Sequence, residues 1–256
     1  MTRELVVEGS GGRPVRALLE GPDDAPAVLV AHGFKGFAGW GFFPWLAARL
    51  VAQGLRAVRV DFSHNGVEAR DFDRLDLFLL DTPTRHQEDL AALAAAVPGP
   101  LGLLGHSRGG ADVLVFGARE PRVRAVVTLA AVVAHAPPTA GQEAELRTQG
   151  FVGVRNARTG QLMPVGRPAF EAAAQPDVLR EAAARAVPTL AFHGTEDASV
   201  PPAALDALAQ ALPHARVRRL EGADHTLGAR HPFAGPPPQL VTFATEAAAF
   251  LARHLA

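Results

Sequence analysis

The chain has 256 residues, 48% of them hydrophobic, a formal net charge of -1 and no cysteine. That length holds one large domain with a substantial core. Without cysteine there is no disulfide, no thiolate metal site and no cysteine nucleophile, and charges of both signs are scattered, with no basic stripe of the kind that grips nucleic acid or an anionic membrane surface.

Met1-Thr2-Arg3-Glu4-Leu5 leads straight into strand-like alternation. No positively charged segment followed by an apolar run is visible, so no signal peptide is expected. No window approaches the length of a membrane span, and a cytoplasmic location is the expectation. Glu4–Glu8 and Val15–Glu20 read as two antiparallel strands joined by Gly9-Ser10-Gly11-Gly12. Val28–Ala31 and Ala57–Val60 are short continuous apolar runs, the pattern of strands buried on both faces. Phe43–Ala52 between them has helical spacing, and Thr84–Ala96 reads as a helix started by Thr82 with Pro83 at its first position. Leu101–Leu104 is a strand and Ala111–Ala118 a helix; Ala125–Leu129, Thr189–Phe192 and Val217–Leu220 are further strands; Ala203–Leu212 and Leu240–Leu255 are further helices, the last preceded by Pro236-Pro237-Pro238. Strands alternate with helices through most of the chain, which predicts an α/β fold with a mostly parallel sheet covered on both faces.

One stretch breaks the rhythm. Residues from about His135 to Ala186 separate two predicted strands and are too many for one crossover helix. Pro137-Pro138 open it, Val152–Val165 reads as a hairpin with Asn156-Ala157-Arg158-Thr159-Gly160 at its turn, and helical Ala- and Glu-rich segments follow to Ala184. The stretch has too few apolar residues for a core of its own. It is expected to be a small cap over the carboxyl end of the sheet within a single domain spanning residues 1–256.

The chemistry concentrates in loops that follow strands. Gly105-His106-Ser107-Arg108-Gly109-Gly110 lies between a predicted strand and a predicted helix. That is the context in which a tight turn projects one Ser hydroxyl above the end of a sheet. A lone serine is a weak nucleophile and needs a base, which itself needs an orienting carboxylate. Asp197, in His193-Gly194-Thr195-Glu196-Asp197, and His225, in Gly222-Ala223-Asp224-His225, each follow a predicted strand. They complete a candidate triad of Ser107, Asp197 and His225, with Glu196 and Asp224 as alternative carboxylates. An attacked carbonyl also needs N–H donors for its developing negative charge. The backbone N–H groups of Phe34, in His32-Gly33-Phe34, and of Arg108 are the candidates.

His32, His64 and Trp40 are candidate substrate contacts. For His32 the other reading is a buried hydrogen bond that shapes the loop. For Asp61-Phe62-Ser63-His64-Asn65-Gly66 it is a turn held by its own side chains. The aromatic run Phe34, Phe37, Trp40, Phe42, Phe43 and Trp45 divides between core and pocket in a way the sequence does not assign. His106 reads as packing. The ten His show no H-E-x-x-H spacing, so no metal site is expected.

With H-G-F at 32–34, G-H-S-R-G-G at 105–110, H-G-T-E-D-A-S-V-P at 193–201 and G-A-D-H at 222–225, the chain resembles the serine α/β-hydrolases over about Val15 to Leu255. The resemblance is closest to the dienelactone-hydrolase-like, feruloyl-esterase-like and prolyl-oligopeptidase-like group. It implies an eight-stranded sheet and an ester or related acyl substrate. The chain departs from dienelactone hydrolase proper, which uses Cys as nucleophile, from haloalkane dehalogenases, which place Asp where Ser107 stands, and from full prolyl oligopeptidases, which carry a propeller domain. The expectation is a carboxylic-ester hydrolase that needs no cofactor and takes a small-molecule ester. The cap and last helix are candidate surfaces for a homodimer. Peptidase, amidase, thioesterase or perhydrolase activity on the same triad, and a catalytically silent binding module, are the alternatives.

Overall fold

The computed structural model describes residues 2–68, 71–171 and 176–256. Strands β1 (Arg3–Glu8), β2 (Pro14–Glu20), β3 (Ala27–Ala31), β4 (Arg56–Asp61), β5 (Leu101–His106), β6 (Val123–Leu129), β9 (Thr189–Gly194) and β10 (Arg216–Leu220) form one sheet in the order β1-β2-β4-β3-β5-β6-β9-β10. The first two strands pair antiparallel with each other and β2 pairs antiparallel with β4; every pairing from β4 to β10 is parallel. A second sheet, β7 (Phe151–Arg155) with β8 (Leu162–Gly166), is a hairpin. The helices are α1 (Phe43–Ala52), α2 (Leu75–Phe78), α3 (Pro83–Ala96), α4 (Arg108–Arg119), α5 (Ala140–Gln149), α6 (Val178–Ala183), α7 (Ala203–Ala211) and α8 (Pro238–Leu255).

Side chains alternate across a strand, so the continuous apolar runs feed two cores. In β3, Ala27, Leu29 and Ala31 join a core with α3, α4, α6 and α7, while Val28 and Val30 join one with α1 and α8 on the other face. On α8, Leu240, Phe243, Ala244, Ala247, Ala248, Leu251 and Leu255 are buried at helical spacing. Its Leu251 and Leu255 fill the space where a side chain at Gly102 of β5 would stand, at 3.0 and 2.9 Å from that Cβ position.

Helix α3 starts as the sequence predicts: Thr82 accepts from the Arg85 N–H (3.3 Å) and Pro83 opens the helix. Three features differ. Helix α4 begins at Arg108, three residues early, because the tight turn at Ser107 ends β5 and starts the helix at once. Helix α5 has a capping box between Thr139 and Gln142 but only Leu146 buried, so it carries no apolar stripe to mark it in the sequence. Helix α2 is a single turn too short for a periodic signal.

The stretch from 135 to 186 contains α5, the β7–β8 hairpin and α6. The predicted hairpin at 152–165 pairs over Phe151–Gly166, its Gly160 N–H donating to the Asn156 carbonyl at the turn (2.8 Å). The Gly166 N–H donates to the Leu79 carbonyl (3.1 Å) and ties the hairpin to the segment after α2. Val178 and Ala182 of α6 enter the main core instead, so that part of the stretch belongs to the sheet-covering layer. The helical reading up to Ala184 spans residues 172–175, which lie outside the described residues. No helix among the described residues is long and apolar enough to cross a membrane.

Candidate active site

Strand β5 runs into α4 through one residue. Ser107 has φ 58° and ψ -120°, a conformation non-glycine residues rarely hold. The surroundings fix it there. Its N–H donates to the Leu129 carbonyl (2.9 Å), and its carbonyl accepts from Gly110 (2.9 Å) and Val132 (3.1 Å). The flanking glycines are obligatory for space. A Cβ at Gly105 would sit 2.1 Å from the Gly109 carbonyl oxygen, and one at Gly109 would sit 2.5 Å from the carbonyl oxygens of Ala31 and His32. Both obstacles are backbone and cannot move aside. Gly105→Ala is therefore expected to cost about 3 kcal/mol, the upper part of the range for overpacking. It would read out as a lower urea midpoint with an unchanged slope.

The loops after β9 and β10 bring the other two triad candidates together. Asp197 is buried, and its Oδ1 accepts from the N–H groups of Ser199 (2.8 Å) and Val200 (2.9 Å). Its Oδ2 accepts from His225 Nδ1 at 2.7 Å. Burial alone would raise the Asp197 carboxyl. The Val200 N–H, the His225 ring and the Ser199 N–H outweigh it and hold the group below the ordinary carboxylate value. His193 braces the loop, its Nε2 donating to the Val200 carbonyl (3.0 Å). The alternative carboxylates are engaged elsewhere or face outward. Asp224 Oδ1 accepts from Thr226 and Gly228 within its own turn, and Glu196 is exposed.

Ser107 and His225 line the same cavity, of about 230 Å³, with Gly33, Phe34, Lys35, Gly36, Trp40, Phe43, His106, Asn156, Ala157, Arg158 and Thr226. They are not hydrogen-bonded to each other here; in ligand-free catalytic sites that bond is often long and tightens with substrate. A Cβ at Gly33 would lie 2.8 Å from Ser107 Cβ, so the loop after β3 can pass against the serine only as glycine. The Phe34 and Arg108 N–H groups, one on that loop and one at the first position of α4, have no acceptor among the described residues. Gly33, next to Phe34 in the chain, lies against Ser107, and Arg108 follows it directly.

No protein-family model and no curated protein matches this chain. Solved structures do. The esterase domain of a Rhodothermus marinus protein aligns over 100% of both chains at 23% identity and a TM-score of 0.71. Est1E from Butyrivibrio proteoclasticus, solved with ferulic acid bound, aligns over 98% of this chain and 99% of its own, at 17% identity and 0.75. A monoacylglycerol lipase from Paleococcus ferrophilus aligns over 94% and 99%, at 17% and 0.68. At these identities the likeness is one of architecture, and it extends over the whole chain. The chain has the α/β-hydrolase fold.

On this α/β-hydrolase scaffold the three substrate-contact candidates separate. Trp40 lines the cavity, as does Phe43. His32 and His64 do not, and this corrects the sequence reading. Burial pushes the His32 imidazole down to about 3, so it is neutral. Its Nδ1 donates to the Gly33 carbonyl (2.9 Å) and its Nε2 accepts from Asn65 Nδ2 (3.3 Å). His32 thus shapes the loop that carries Phe34. His64 is also buried, its Nδ1 on Ser63 Oγ (2.8 Å) and its Nε2 accepting from Arg85 (3.1 Å). It packs toward α3 because the chain after β4 turns down beside that helix. Phe42 is wholly core, and Trp45 packs on Phe233. His106 is neutral, pushed down to about 3 by burial, and donates Nε2–H to the His225 carbonyl (2.9 Å). The packing expected of it therefore holds the backbone of His225.

Three features of this site escape sequence reasoning. Asn156–Arg158 on the hairpin turn reach the cavity only through the tertiary fold. Lys35 lines it too, and the one available signal was compositional: it is the only lysine in the chain. The third is a charged cluster beneath the serine turn. His86 Nδ1 meets Asp112 Oδ2 at 2.7 Å and His86 Nε2 meets Asp81 Oδ1 at 2.8 Å, all three side chains 1–2% exposed. Asp81 also takes an ion pair from Arg108. The Arg108 guanidinium lies over the Phe34 ring at 5.1 Å, so one side chain links both residues that offer candidate oxyanion donors.

Proposed function

We propose that the protein is a serine hydrolase of small carboxylic esters. The reading is carried by the placement of Ser107, strained and half-buried at a strand-to-helix turn, in the same cavity as a His225 whose other ring nitrogen is held by Asp197. His225 takes the Ser107 proton as Oγ attacks the ester carbonyl. The Phe34 and Arg108 N–H groups receive the resulting oxyanion. His225 then protonates the leaving alkoxide and the alcohol departs. Water, deprotonated by His225, attacks the acyl-serine; collapse of that second tetrahedral intermediate releases the acid and returns the proton to Ser107. Asp197 keeps the imidazole proton on Nδ1 and stabilises the imidazolium. The architectural likeness to an esterase domain, to Est1E and to a lipase favours ester over amide substrates.

The cavity of about 230 Å³ lies below the ~300–1,000 Å³ of sites that enclose drug-sized ligands. Short acyl groups fit it. With p-nitrophenyl esters from acetate to long-chain acyl, kcat/KM is expected to peak at two to four carbons, estimated from that volume, and to fall by about tenfold or more by octanoate. Hydrolysis of none of the series by the folded protein would overturn the esterase reading. A fluorophosphonate probe then separates the remainder: labelling lost in Ser107→Ala leaves an amidase, peptidase or thioesterase, and absence of labelling leaves a silent binding module.

A further inference from the structure

Lys35 stands where its conformation and its charge both need a reason. The turn Gly33–Gly36 is closed by the Gly36 N–H donating to the Gly33 carbonyl (2.9 Å), and Lys35 holds its third position at φ 60°. Glycine is the usual residue there, and a non-glycine residue in a strained position beside a reactive centre points to a functional demand. It is also the single lysine of a chain whose every other Lys or Arg position is Arg. A lysine offers a compact ammonium on a flexible stem, where arginine offers a wide planar fork. That suits a cavity of this volume.

The surroundings leave this charge uncompensated. Lys35 Nζ crosses to the hairpin and donates to the Arg155 carbonyl (3.3 Å). No Asp or Glu lines the cavity, and no carboxylate pairs with Lys35 among the described residues. The neighbouring cation, Arg158, is satisfied by Asp71 at 2.6 Å. Next to Arg155, the buried Asn156 spends its Oδ1 on the Arg158 N–H (3.1 Å). Its Nδ2 has no acceptor among the described residues, and the residue lines the cavity. An ammonium that reaches the hairpin beside Asn156 and an amide N–H₂ without an acceptor thus belong to two residues lining one cavity, which no Asp or Glu lines. Burial pulls the Lys35 ammonium below its ordinary value, the direction a bound anion would reverse.

We propose that Lys35 and Asn156 form an anion subsite, and that the substrates are small esters bearing a carboxylate. The proposal rests on the esterase reading above and specifies its substrate class. The leaving group or the acyl chain could carry the charge, so matched pairs of esters distinguish them. Monomethyl succinate against methyl butyrate places the carboxylate on the acyl side. Sodium 4-acetoxybenzoate against 4-methylphenyl acetate places it on the leaving group. In at least one pair the charged ester is expected to have a kcat/KM about tenfold or more above its neutral partner. That ratio should fall toward one in Lys35→Gln, invert in Lys35→Glu and shrink with added salt, since it is a charge interaction. A ratio at or below one in both pairs, with the neutral esters still cleaved, overturns the subsite and leaves the esterase reading standing. So does a preference that survives Lys35→Gln.

Binding of succinate to the Ser107→Ala protein by calorimetry reads the subsite without turnover. Saturable binding lost in the Ser107→Ala/Lys35→Gln double variant supports it. Absence of binding together with no charge preference overturns it. If no ester is cleaved at all, the esterase reading fails and this binding measurement alone decides the subsite.

Discussion

Ser107→Ala is expected to lower kcat by on the order of 10⁶-fold, the scale on which removing a triad serine acts. The variant should fold normally. Alanine at φ 58° is no more strained than serine, and the serine hydroxyl holds no hydrogen bond among the described residues. Asp197→Asn is expected to cost about 10⁴-fold for a different reason. The asparagine Oδ1 can still accept from the Ser199 and Val200 N–H groups. Its amide N–H₂ then faces His225 Nδ1 and drives the ring proton to Nε2, where the base must be bare. The two variants are compared by kcat on one short ester, with far-ultraviolet circular dichroism confirming the fold. Retention of more than about 1% of kcat by Ser107→Ala would remove the serine from its assigned role, since the residual rate of a true triad knockout is far smaller.

The second large effect is on stability and comes from the cluster under the serine turn. The His86 ring lies between Asp112 and Asp81 and is stacked on Phe62, with ring centroids 3.8 Å apart. Burial alone would push its imidazole down. The Asp112 and Asp81 carboxylates overcome that and raise it from 6.5 to about 9. Burial would likewise raise Asp81, but the Arg108 guanidinium and the His86 imidazolium hold it well below the carboxylate range. A basic group raised on folding stabilises the folded state fully below its unfolded value, and that contribution fades as pH climbs through the folded value. For His86 it is on the order of 3 kcal/mol, present at pH 6 and lost progressively between pH 6.5 and about 9. Unfolding in urea at pH 6 and pH 9 should show the wild type losing stability over that window. His86→Ala leaves the buried Asp112 carboxylate without the imidazolium and Asp81 with Arg108 alone, and is expected to cost about 3–5 kcal/mol at pH 6. It should also flatten the pH dependence. A His86→Ala protein as stable as wild type and equally pH-dependent would show that the cluster is not an ionic one.

The cluster also bears on the proposed reaction. The Arg108 side chain is held by Asp81, and its backbone N–H is one of the two candidate oxyanion donors. Rigid support beneath a donor is what allows it to meet developing charge without reorganising. The same logic applies on the other side of Ser107, where neutral His32 is bonded to both Gly33 and Asn65. Two separate polar assemblies thus brace the two donors.

Which features could be read from the sequence follows from how local each one is. Ser107 between an apolar run and a helix, flanked by glycines at 105 and 109, is a statement about six consecutive residues, and backbone sterics make it legible. Asp197 follows a strand whose continuous apolar character marks it as buried, and His225 follows the last predicted strand, Val217–Leu220, so their place at the carboxyl end of the sheet came with the strand pattern. Chain order and periodicity therefore determined the α/β class, the parallel sheet and the elements that bear the three candidate catalytic side chains. What they could not determine was anything made between distant segments by side-chain direction. His64 and Trp40 both lie on loops following strands, but one turns into the α3 interface and the other into the cavity. Asp81, His86, Arg108 and Asp112 are ordinary polar residues in sequence, and only the packing of α3 against α4 makes them a buried charged cluster. Lys35 acquires its meaning when the hairpin from 151 to 166 places Arg155 and Asn156 against it. Local sterics and hydrophobic periodicity are written residue by residue; burial, electrostatic partnership and cavity shape exist only once remote segments share the same space.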